Sequence, residues 1–111
     1  MTREGLIRKL NAIKGVQFAE YGWRTRPQGN FGTIQTQDFE LDADNGDDRK
    51  QERAFEGSVD LFTVGEEWTI AAAVESVLEE ECETCWELNS KQHERETGLI
   101  HREYVFRYEG T

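Results

Sequence analysis

Cys82 and Cys85 frame a C-x-x-C spacing, Cys82-Glu83-Thr84-Cys85, and are the only cysteines in the chain. That spacing suits dithiol redox chemistry or one half of a zinc site. Redox use favours the first cysteine at a helix N-terminus, where the dipole stabilises thiolate. Here the pair follows a helical stripe and sits among Glu79, Glu80, Glu81, Glu83 and Glu87, a field that disfavours thiolate. A four-ligand zinc site needs two more donors. His93 and His101 are the only histidines, eight apart and on different elements. Both cysteines are therefore read as small core or boundary residues, with a disulfide as the lesser alternative in a cytoplasmic chain.

Asp42, Asp44, Asp47 and Asp48 suggest calcium at first sight. An EF-hand loop needs Gly at its sixth position and Glu at its twelfth; counted from Asp42, these are Asp47 and Arg53. The segment is read as a solvated acidic hairpin tip. His101, with Arg102 and Glu103 beside it, resembles a general base, but no nucleophile or orienting partner lies in sequence reach. Nucleophile-elbow, phosphate-loop and dinucleotide patterns do not occur. The expectation is a protein that is not an enzyme and carries no cofactor or metal. Arg24 and Arg26 flank Thr25 beside Trp23. This is either an Arg-plus-aromatic patch of the kind enriched at interfaces, or a polar loop anchored by its Trp.

The elements that position these residues follow from periodicity. Thr2 caps a helix from about Arg3 to Lys14, with Leu6, Ile7, Leu10 and Ile13 on one stripe and Gly15 as its stop. Val16 to Tyr21 reads as a strand, and 22–30 as a loop by its Pro, Gly and Asn content. A second strand runs from about Phe31 to Leu41, with Phe31, Thr33, Gln35, Gln37, Phe39 and Leu41 in alternation and one face wet. After the Asn45-Gly46 turn, a third strand spans about Gln51 to Thr63, with Phe55, Gly57, Val59 and Leu61 on one face. A second helix, about Glu66 to Glu81, carries Ile70, Val74, Val77 and Leu78 as its apolar stripe. Strands from Cys85 to Gln92 and Leu99 to Tyr108 close the chain. Ile100, Tyr104, Phe106 and Tyr108 face one way there, and His101, Glu103 and Arg107 the other. The order αβββαββ predicts a two-layer α+β sandwich, a mainly antiparallel sheet of about five strands with both helices on one face.

The chain's 111 residues are read as one domain, 1–111. Leu, Ile, Val and Phe number 24, enough for a modest core in a charged chain. Net charge is −10, unevenly placed: residues 1–37 carry +4 and residues 38–111 carry −14. This excludes a reader of duplex DNA held by phosphate contacts. It permits head-to-tail contact between copies. No apolar run reaches the roughly 18 residues of a membrane helix, and Met1-Thr2-Arg3-Glu4 has no apolar signal region, so a cytoplasmic origin without membrane association is expected.

Three segments carry a family resemblance. Ala19-Glu20-Tyr21-Gly22-Trp23 enters a loop that ends at Phe31-Gly32-Thr33. Glu56-Gly57-Ser58-Val59-Asp60-Leu61-Phe62-Thr63 is a strand just before a helix. Glu94-Arg95-Glu96-Thr97-Gly98-Leu99-Ile100-His101 opens the last strand. Together they resemble tail terminators and other tail-completion or head–tail joining proteins of long-tailed bacteriophages and prophages. The resemblance implies a virion protein, assembled in the host cytoplasm. It would form a homo-oligomeric, hexameric ring on the end of the tail tube and dock to a neck or head-completion protein, with DNA passing through its lumen. Under that reading Trp23, Arg24 and Arg26 meet a neighbouring subunit's acidic groups, such as Asp42, Asp44, Asp47 and Asp48, or those carboxylates line the lumen. The other reading is a small acidic protein-binding module, a DNA mimic or inhibitor, with Glu75, Glu79, Glu83 and Glu87 spaced i, i+4 to imitate phosphates.

Overall fold

A helical stripe must be buried, and the sheet face it covers sets where every later side chain points. In the computed structural model, which describes residues 2–40 and 53–109, the chain runs α1 (Arg3–Asn11), β1 (Gln17–Glu20), β2 (Phe31–Glu40), β3 (Arg53–Val64), α2 (Trp68–Glu79), β4 (Trp86–His93) and β5 (Leu99–Glu109). This is the αβββαββ order, and the fold is a two-layer α+β sandwich. Thr2 caps α1 as its sequence position predicts, its hydroxyl accepting from Gly5 N at 3.0 Å. The helix stops three residues earlier than its stripe suggests. Asn11 ends it and turns its Oδ1 to accept from Phe18 N at 3.0 Å, which fixes where β1 begins. Gly15, at φ +88°, makes the turn between them.

The five strands lie in the order β1-β2-β3-β5-β4. All pairings are antiparallel except β1 with β2, which is parallel. That exception follows from the loop over 21–30, which carries the chain back to the end of the sheet where β1 began. Trp23 Nε1 donates to Gly32 O at 2.9 Å. Asn30 accepts from Val64 N at 2.8 Å and donates to Gly15 O at 3.3 Å. The loop's polar residues thus staple it across the end of the sheet.

Leu6 and Leu10 from α1 and Ile70, Ala71, Val74 and Leu78 from α2 pack on Phe18, Ile34, Phe55, Val59, Leu61, Tyr104, Phe106 and Tyr108 of the sheet. Each fully buried Leu or Val there contributes roughly 1.5–3 kcal/mol over an exposed one. On β2 the burial differs from the simple odd-position alternation. Gly32 and Ile34 turn to the helices, while Phe31 is buried on the opposite face by the 21–30 loop. Its ring stacks on Phe62 at 4.8 Å, Phe62 stacks on His101 at 4.2 Å, and the Arg26 guanidinium lies 5.2 Å and 5.6 Å from the two Phe centroids. α2 starts at Trp68 rather than Glu66, because Glu67 takes a left-handed conformation (φ 44°) at the cap. Among the described residues no helix is long and apolar enough to cross a membrane.

Candidate functional site

The loop that holds Trp23, Arg24 and Arg26 is a structural staple first. The Trp23 indole N–H is spent on Gly32 O, and the Arg26 guanidinium caps the Phe31–Phe62 pair. A cation held over aromatic faces gains roughly 0.5–1 kcal/mol at an exposed site. Arg24 is exposed and makes no ion pair among the described residues. Of the three, it is the one left to meet another molecule. Asp42, Asp44, Asp47 and Asp48 lie outside the described residues.

Cys82 and Cys85 are joined by a disulfide, which corrects the reading of them as separate small residues. The turn after α2 brings Cys85 N to the Cys82 carbonyl at 3.3 Å and the two Cα atoms to 5.4 Å, inside the range a bridge spans. Their half-buried position against the core agrees with the boundary placement. Cys85 O in turn accepts from Arg107 N at 2.9 Å, so the bridged turn sets the start of β4.

The two histidines do not meet. Gln92, not His93, is the register partner of His101, so the two rings point to opposite faces. His101 Nε2 lies 2.7 Å from Asp60 Oδ1, and its Nδ1 is 3.8 Å from Glu94 Oε2. Sequence separation hid Asp60, 41 residues away in the chain and the diagonal neighbour of His101 on the adjacent strand β3. A His–carboxylate contact orients an imidazole, but the ring is stacked on Phe62, and among the described residues its polar contacts are the carboxylates of Asp60 and Glu94, with no hydroxyl or thiol nucleophile. No group of three potential metal ligands occurs among the described residues.

The acidic row expected on α2 does not extend as a face. Glu75 accepts from the Tyr104 hydroxyl at 2.8 Å, the helix ends at Glu79, Glu83 lies in the turn, and Glu87 is on β4. The carboxylates gather instead on the sheet face away from the helices, where alternation places Glu56, Asp60, Glu87, Glu103 and Glu109 with Arg107 and His101. Gln35, Gln37 and Ser58 continue that face and Tyr21 borders it. It is polar and open, with a net negative charge.

Sequence reasoning passes over one group on the covered side, whose one signal is a charge interrupting the apolar alternation of Ile100 and Tyr104. Arg102 is 1% exposed. Its Nη2 donates to Glu66 O at 2.8 Å and Glu66 Oε1 at 3.2 Å, its Nη1 reaches Thr63 Oγ1 at 3.4 Å, and it lies 5.3 Å from the Trp68 centroid. Lys91 Nζ bonds the same Glu66 oxygen at 2.7 Å and sits 4.5 Å from the Trp68 ring. The Lys91 hydrogen bond is the main reason the Glu66 carboxyl lies below its ordinary range; partial burial opposes it, and the charges of Lys91, Arg102 and His93 assist.

Burial raises the Tyr104 hydroxyl well above its ordinary range, helped by the Glu75 hydrogen bond, and pushes Tyr108 up to about 12, helped by the charge of Glu81. The Tyr108 hydroxyl donates to Leu78 O at 2.6 Å. The neutral phenols are thus favoured in the folded state. Their contribution is fully present below pH ~10, the ordinary tyrosine value, and is lost as pH rises from there through the raised values. In a base titration followed at 295 nm, the phenolate signal of both residues is expected to appear together with unfolding. A phenolate signal from both while circular dichroism stays native would refute this.

Neither a scan of protein-family models nor a search of curated proteins finds a match to this chain. The class that the fold and this geometry define is a small α+β module with one helix-covered face and one open acidic face.

Proposed function

We propose that this chain is the structural subunit of a ring that closes the end of a bacteriophage tail tube. In this reading copies of the chain assemble head to tail, the ring halts tube growth, and its free side docks to a neck or head-completion protein. The observation that supports it most is the helix-free sheet face. A wall carrying Glu56, Glu87, Glu103 and Glu109 repels a phosphate backbone, so DNA crosses such a lumen as a passenger. The open surface calls for partners of protein size rather than a small molecule. The acidic-mimic reading is weaker, because Glu75 is engaged by Tyr104 and the helical row stops at Glu79.

Negative-stain imaging of the purified protein, alone and with tail tubes, tests the proposal. Rings, expected to be six-fold, should cap the tubes. Bare tube ends at saturating protein would overturn it. Arg24→Glu should weaken assembly at moderate salt while leaving the melting temperature within a few degrees, since Arg24 makes no ion pair among the described residues. Unchanged assembly of that variant would remove Arg24 from the interface.

A further inference from the structure

Backbone N–H and C=O groups on an open sheet edge are a template for another strand. This sheet has two such edges, and they differ. β1 covers β2 only as far as Ile34, so the stretch 35–40 has no strand on that side. Ile34 O accepts from Tyr21 N, and alternation then points the backbone groups of Thr36 and Asp38 the same way, outward. The Thr36 carbonyl is taken by the Tyr21 hydroxyl at 3.1 Å; the Asp38 N–H and C=O have no partner among the described residues.

At the other end β4 pairs only with β5. The bonds Arg107 N to Cys85 O and Glu94 N to Leu99 O, with the register shift between Leu88 and Ser90, turn the backbone groups of Trp86, Leu88, Lys91 and His93 outward. Apolar surface borders this edge: Trp68 is 65% exposed and Leu88 43%. Trp68 is held there by Lys91 and Arg102. Edges of natural sheets are usually blunted, and large exposed aromatics beside one mark a contact surface.

We propose that the β4 edge of one copy pairs with the 35–40 edge of β2 in the next, so that the sheet continues from subunit to subunit. The inference rests on the ring reading above and names its interface. Direction favours it. β4 runs opposite to β2 within one chain, since three antiparallel steps separate them. A second copy that extends the sheet with its helices on the same side therefore meets β4 antiparallel. The contact uses two different patches, so each added copy leaves one edge of each kind free. The chain of subunits ends only by closing. In a closed ring of this kind both the β4 edge and the 35–40 stretch are covered and only the short outer side of β1 stays open, with the helices forming one wall and the acidic face the other.

Proline tests this, because at an outward-facing N–H it removes an intermolecular donor without breaking the chain's own ladder. Leu88→Pro blocks the β4 edge and Asp38→Pro blocks the β2 edge. Each variant alone is expected to sediment as a monomer under conditions where the wild type assembles, with a melting transition retained. Mixed in equal amounts, the two should give a one-to-one dimer and nothing larger, since each supplies the edge the other lacks. A mixture that stays monomeric, or a Leu88→Pro protein that assembles like the wild type, overturns the pairing. In the second case rings persist and only the interface is wrong, whereas a wild type that never caps tail tubes sinks the ring reading itself. If a proline variant loses its melting transition, Trp68→Ser with Leu88→Lys replaces it. That protein keeps the backbone and loses the apolar border, and should assemble at least tenfold more weakly; undiminished assembly counts against the proposal.

Discussion

Gly57→Ala is expected to destabilise the fold by ~3 kcal/mol or more, the upper end of what overpacking costs. Gly57 lies in the middle of β3, opposite Thr36 on one side and Phe106 on the other. A Cβ placed there falls on the Gln35 carbonyl oxygen, 2.9 Å from that carbonyl's carbon and 3.0 Å from Thr36 Cα. These obstacles are backbone, so no rotamer change clears them. The strands must move apart, and moving them breaks rungs of the β2–β3 ladder. For a chain of this length the melting temperature should fall by about 10–20 °C. Ser58→Ala, one residue on and on the open face, is the control and should stay within about 0.5 kcal/mol. Gly32→Ala should hurt less than Gly57→Ala. Its Cβ meets the Phe18 ring, which has some freedom to turn, and Asp60 O at 2.9 Å. Thermal melts of the three variants decide the matter. A Gly57→Ala protein melting within about 3 °C of wild type would show that β2 and β3 do not approach this closely.

How far the sequence foretold this arrangement depends on the range of the interaction. Leu6, Leu10, Val74 and Leu78 announce their burial by spacing, because a helix repeats its face within a few residues. The alternation of Ile100, Tyr104, Phe106 and Tyr108 likewise reads out one face of β5. Gly57 was legible as a core-face position, but nothing local says that a neighbouring strand passes so close. The parallel β1–β2 pair was also out of reach, since its cause is the staple formed by Trp23 and Asn30 across the end of the sheet. The cysteines were misjudged because redox compartment was weighed above geometry: three residues of turn suffice to bring the Cα atoms to 5.4 Å. His101 looked solitary because its partner Asp60 is two strands back in sequence and one strand away in space. The open acidic face was the least legible feature. The sequence counts twenty-one acidic side chains in residues 38–111, and only the strand order says that five of them share a face.

Arg102 carries the second large effect, and its chemistry can be separated from its volume. Its core-facing position on β5 falls between Ile100 and Tyr104, where a strand pattern asks for an apolar residue. Removing one member of a buried ion pair costs roughly 3–5 kcal/mol when it strands the other charge. Here it does not strand one: the Glu66 side chain is 44% exposed and keeps Lys91 at 2.7 Å. The loss should therefore follow the space vacated. Arg102→Ala, which empties a nearly full-length side chain from under Trp68, is expected to cost about 3 kcal/mol, in the range of large-to-small core changes. Arg102→Met fills most of that space, keeps no charge, and should cost only about 1 kcal/mol, much of it the lost hydrogen bond to the Glu66 carbonyl. Equal costs for Met and Ala in urea unfolding would instead make the charge the essential part. The same pair of variants reports on assembly. Trp68 borders the β4 edge because Arg102 and Lys91 hold its ring. A protein with Met at 102 keeps a support under that ring and should still assemble. One with Ala lets the indole drop into the vacated space, and should lose assembly at temperatures where its own fold remains intact.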